Sequence, residues 1–144
     1  MRNNIFATTL LATTLLSPVT LSSCSKDDGD WDPMKWRTET KTVKEEGTRL
    51  VQVPAEGGTY VYKCRNYNSF WLSDITEEEN SNVKHYYREN FTDMYNCSLP
   101  FSDTSITGNT LTITIKPNET KKTRYVAVTV TAGDIFDTFK YKQY

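Results

Sequence analysis

Leu111-Thr112-Ile113-Thr114-Ile115 and, one turn later, Val126-Ala127-Val128-Thr129-Val130 carry an aliphatic side chain at every second position, with threonine or alanine between. A period of two belongs to a strand with one buried face, whereas a helix shows a period near 3.6. The punctuation agrees. Pro117-Asn118 ends the first segment, and Ala132-Gly133-Asp134 has the chemistry of a hairpin turn. Phe139 and Tyr141 line a strand after it.

The same pattern extends toward the N-terminus. Residues 50–53 form a short strand stopped by Pro54. Gly57-Gly58 is a turn, because glycine tolerates positive φ. Residues 59–65 put Tyr60, Tyr62 and Cys64 on one face and Lys63 and Arg65 on the other. Residues 69–73 bring Phe70, Trp71 and Leu72, with Trp71 expected as a core plug rather than a sugar stacker. No helical period is sustained. About seven short strands separated by turns predict an all-β domain over 48–144, an immunoglobulin-like two-sheet sandwich.

Residues 1–23 have a different character. Arg2 is their only charge, and Leu10, Leu11, Leu15, Leu16, Val19 and Leu21 make an apolar stretch diluted by threonine. This is the layout of a cleaved secretory signal peptide, thin for a spanning helix. Leu21-Ser22-Ser23-Cys24 resembles the lipobox of bacterial lipoproteins, which implies cleavage before Cys24 and acylation of its sulfur; the alternative is an ordinary signal peptide with a chance cysteine. Several acyl chains on one residue anchor a protein stably. Lys26, Asp27 and Asp28 resemble the export signal of Bacteroidetes surface lipoproteins, against the alternative of an acidic linker. The expected location is the outer membrane, lipid-anchored and facing outward.

Residues 24–47 are expected to be a tether. Trp31 and Trp36 flank Pro33, which points to docking on the domain with both indoles buried; packing at the membrane interface and a partner-docking peptide are the alternatives. Residues 38–47 alternate weakly, and Lys41 and Lys44 suit an exposed edge strand.

Gly57-Gly58 with its strand, Phe70-Trp71-Leu72, residues 111–115, Asn118 followed by Arg124, the valine strand and Gln143 together resemble a BACON domain, the Bacteroidetes-associated carbohydrate-binding module. The resemblance covers most of 48–144. It implies an immunoglobulin-like sandwich and suggests a glycan ligand, the fold more strongly than the function. The stretch 73–109 looks longer than the usual connection in that family and is expected to be an insertion, polar and mobile at Glu77-Glu78-Glu79. Within it Tyr86, Tyr87 and Tyr95, with Asp93 or Asn96 nearby, could form a sugar-stacking platform. The alternative is an extra hairpin whose aromatics pack on the sheet.

Formal charge is −1, and no basic stripe exists for nucleic acid. With Cys24 acylated, Cys64 and Cys97 remain, either as a disulfide in an oxidising compartment or as buried thiols. Two cysteines and the single histidine, His85, lack the spacing of a metal site, so no metal or cofactor is expected. His85 is expected as a surface or packing residue, and Arg124 and Gln143 as strand-end hydrogen-bonders. No catalytic set is apparent. The chain is expected to be a non-catalytic binding module, with glycan (mucin or polysaccharide) as ligand, or else an accessory subunit docked on another cell-envelope protein.

Overall fold

The computed structural model describes residues 31–144. Cys24, Lys26, Asp27, Asp28 and the expected signal peptide lie outside the described residues. Eleven strands follow in order: β1 (Trp36–Arg37), β2 (Val43–Glu45), β3 (Thr48–Val53), β4 (Gly58–Cys64), β5 (Trp71–Glu79), β6 (Asn82–Tyr87), β7 (Asn96–Ser98), β8 (Ser102–Thr107), β9 (Thr110–Ile115), β10 (Arg124–Ala132) and β11 (Ile135–Gln143). One 3-10 turn, Arg88–Asn90, sits between β6 and β7.

They form two sheets, ordered β1-β4-β9-β8-β7 and β2-β3-β11-β10-β5-β6. All pairings are antiparallel except β11 with β3. One sheet is built on a strand pair and its hairpin partners, and the other on the β11-β10-β5 triplet extended by β6. This is the division of an immunoglobulin-type sandwich. The alternation expected from the sequence holds. Leu111, Ile113 and Ile115 from one sheet and Val126, Val128 and Val130 from the other are at most 3% exposed and share one core.

Four expectations are corrected. Among the described residues the strands number eleven, not about seven, because the expected tether and the supposed insertion contribute strands. Residues 73–109 are not an appendage: β5 is central to its sheet, and β6, β7 and β8 complete the same side of both layers. The domain begins before residue 48, since β1 pairs with β4 and β2 with β3. Trp71 is half-buried and faces outward, while its neighbours Phe70 and Leu72 are fully buried. A single-residue pleat separates them.

Only half of the expected tryptophan docking occurs. Trp36 lies edge-on to Phe70 and Phe139, with ring centroids 5.2 and 5.1 Å away, and its indole N–H donates to Asp137 at 2.7 Å. Trp31 stays 58% exposed.

Polar pins close the other end. The Gln143 amide donates to the carbonyls of Pro54 (3.1 Å) and Lys116 (2.9 Å), joining the ends of β3, β9 and β11. Arg124 donates to Glu79 at 2.9 Å and lies over the Phe101 ring at 4.1 Å. Both residues are strand-end hydrogen-bonders, as expected.

Gly57 makes the turn into β4 at φ +84°, and a Cβ there would lie 2.2 Å from the Ile115 carbonyl oxygen. Gly108 also has positive φ, +58°, but nothing lies within 4 Å of a Cβ there. Gly57→Ala should therefore destabilise the domain by at least about 2 kcal/mol, and Gly108→Ala by about 1 kcal/mol. Urea unfolding of the two variants checks the ranking, and equal losses would refute it.

Candidate binding face

The pairings β11-β10-β5-β6 lay the outward side chains of the larger sheet in rows. Phe136, Thr131 and Trp71 are in register across three strands. The next row is Thr138, Thr129, Asp74 and Tyr87, and the next is Lys140, Ala127, Thr76 and His85. The last is Lys142, Tyr125, Glu78 and Val83. Small side chains occupy the centre, where Thr129 and Thr138 share a hydrogen bond of 3.1 Å. Aromatic rings rim it: Trp71, Tyr87, Phe136 and Tyr125. His85 stacks on Tyr87 with 12° between planes and bonds Thr76 at 3.2 Å, so it is a surface packing residue.

The β2–β3 hairpin stands along one side of this face and converts part of it into a groove of about 300 Å³. Tyr125, Ala127, Thr76 and Leu50 supply its apolar surface, and Glu45, Glu46, Glu78 and Lys140 its charge. Lys142 pairs with Glu45 and lies 5.7 Å from the Tyr125 ring centre, which steadies the wall. Glu46, Glu78 and Lys140 make no ion pair among the described residues. The groove thus offers a ring for stacking and carboxylates that accept from hydroxyl groups.

The tyrosines singled out from the sequence do not form one platform. Tyr86 and Tyr87 are consecutive in β6 and point to opposite faces. Tyr86 packs on the core, and Tyr87 is 53% exposed on the outer face. Tyr95 lies in the connection to β7, where its carbonyl accepts from Ile106 N–H at 2.8 Å. Asp93 and Asn96 are committed to each other: the Asp93 carboxylate accepts from the Tyr95 and Asn96 backbone N–H groups and from the Asn96 amide. Their geometry holds a turn. Tyr125 was missed, although its place between the inward Arg124 and Val126 marks it as outward-facing; only the pairing of β10 with β5 and β11 reveals its neighbours.

No bridge joins Cys64 and Cys97. Both are free and buried. They lie in β4 and β7, three strand spacings apart, or about 14 Å, where a disulfide needs Cα atoms within about 7 Å. Burial, followed by the charge of Glu77, pushes the Cys97 thiol up to about 11.

Glu77 is the other surprise of the former insertion. It faces the core from β5, 1% exposed, and accepts from the Phe101 backbone N–H (3.0 Å) and the Ser102 hydroxyl (2.8 Å). Its second oxygen has no partner. Burial raises its pKa above the ordinary 4.5, outweighing those hydrogen bonds and Lys116. The folded state therefore keeps a proton that the unfolded chain releases, and this contribution is full below pH 4.5 and declines as pH rises through the raised value. Glu77→Gln keeps an acceptor without the charge. Its melting temperature relative to wild type should be level in acid and climb with pH above 4.5; a flat or falling difference would contradict this account.

No family model matches the chain, and no curated protein does. Among solved structures, the chain is similar to an NMR structure of a protein from Bacteroides thetaiotaomicron, at 34% identity and TM-score 0.60, covering 84% of this chain and 94% of that one. Two titin domains are more distant: M1, at 9% identity and TM-score 0.41, covering 78% of this chain and 94% of that one, and M4, at 10% and 0.40, covering 78% and 96%. At that identity and coverage, the chain belongs to the same family as the Bacteroides thetaiotaomicron protein.

Proposed function

We propose that this protein is a lipid-anchored, non-catalytic binding module of the bacterial outer membrane, of BACON type, that takes neutral glycan on the outer face of its larger sheet. Cys24, in the lipobox-like Leu21-Ser22-Ser23-Cys24, is the acylated residue, and Lys26, Asp27 and Asp28 direct outward export. The observation that carries the binding reading is the groove beside Tyr125. A sugar ring offers a C–H face to the phenol and hydroxyl groups to the carboxylates. With Glu45 paired to Lys142, the unpaired Glu46 and Glu78 outnumber Lys140 there, so sulfated or sialylated chains are disfavoured. Kinship with a Bacteroides thetaiotaomicron protein accords with the Bacteroidetes character of the lipobox and export-signal resemblances.

Titration of the purified protein against a glycan panel by calorimetry tests this. Neutral polysaccharide should bind and its sulfated counterpart should bind more weakly. Tyr125→Ala should lower affinity about tenfold, and Tyr95→Ala should leave it unchanged. Silence across the panel, with an envelope protein co-purifying, would replace this reading with that of an accessory subunit.

A further inference from the structure

We infer that the sandwich stands end-on, with the end that carries Trp31 and Phe136 resting on the bilayer in which Cys24 is anchored. The inference rests on the anchor reading and adds to it a membrane-contact surface.

Residues 32–36 are fixed to one end of the domain. Asn66 accepts from the Lys35 backbone N–H at 2.8 Å and donates to the Pro33 carbonyl at 3.0 Å, and the Tyr67 hydroxyl donates to the Asp32 carbonyl at 2.6 Å. Trp36 pairs with Cys64, the last residue of β4. The β8–β9 hairpin lies at the same end, since Asn109 exchanges two hydrogen bonds of 2.8 Å with Cys64. So does the β10–β11 hairpin, held by the Trp36–Asp137 bond. Gly57, Asn118, the Arg124–Glu79 pair and Gln143 mark the opposite end.

Chain length limits the choice of neighbour. About seven residues lead from Cys24 to Trp31, a reach of at most about 25 Å and an average nearer 15 Å. The nine-residue strand β10 is itself about 30 Å long. The anchored end is therefore held near the lipid and the far end away from it. Among the described residues, the two most exposed large apolar side chains are Phe136 at 60% and Trp31 at 58%, and both sit at the anchored end. Indole and phenyl rings gain by entering the headgroup region, where tryptophan concentrates in membrane proteins. Standing this way, the strands run outward and the Tyr125 groove opens sideways, clear of the lipid.

The test uses the full lipoprotein produced in a Bacteroides host, purified from membranes and reconstituted in phosphatidylcholine vesicles with an acceptor-labelled lipid. A fluorescent donor is placed at Asp134→Cys or at Glu119→Cys, with Cys64 and Cys97 protected by burial. Energy transfer should be several-fold more efficient from position 134 than from 119. The double change Trp31→Ala and Phe136→Ser should narrow that difference without releasing the protein. Equal or reversed transfer from membrane-bound protein would overturn the orientation alone. Recovery of the chain outside the membrane fraction would overturn the anchor and the orientation together.

Discussion

Six aliphatic side chains set the register of the sandwich. Leu111, Ile113 and Ile115 come from the middle of one sheet, Val126, Val128 and Val130 from the middle of the other, and all lie in one core. Burying each stabilises the fold by roughly 1.5–3 kcal/mol. A one-residue slip of either strand would turn its three side chains to water, a loss of roughly 5–9 kcal/mol, comparable to the whole stability of a small domain. The outward grid of threonines, Tyr125, Glu78 and Lys140 exists because these inward rows admit a single register.

An apolar layer between two sheets has no direction along the strands, so the ends need polar fastening. At one end Trp36 belongs to the smaller sheet by its backbone and bonds Asp137 of the larger. At the other, Gln143 donates to carbonyls from two separate turns. In the middle the Tyr141 hydroxyl donates to the Tyr62 hydroxyl at 2.9 Å, with both tyrosines buried. Buried polar groups need partners, and these pairs satisfy the donors involved, although the Gln143 side-chain oxygen is left without one. Glu77 is a charged group buried with one unpartnered oxygen, so its burial shows up as a raised pKa.

The structure separates two jobs by direction. Aromatic residues that hold the sheets together, Trp36, Tyr62, Phe70, Phe139 and Tyr141, face inward or seal an end. Trp71, Tyr87, Tyr125 and Phe136 face outward, where they add nothing to the core. Large apolar side chains gathered on one outer face mark an interaction surface more often than scattered ones do. The groove adds convergent carboxylates to that face, beside the flexible chemistry of a lysine already steadied on Tyr125.

From residues 111–115 and 126–130 alone, the strand period, the inward set and the two-sheet class follow, because pleating is local and burial selects one face. The roles of Arg124 and Gln143 at strand ends were legible for the same reason, as polar residues closing apolar rows. Residues 73–109 were not: Glu77-Glu78-Glu79 looks like a solvated run until β5 is flanked by β10 and β6, whereupon Glu77 turns inward. The separation of Cys64 from Cys97 and the split of Tyr86 from Tyr87 depend on strand order and on which face each strand presents. The groove beside Tyr125 joins side chains from β2, β3, β5, β10 and β11. Alternation along one strand says which residues point outward, but only pairing between distant segments says which of them meet.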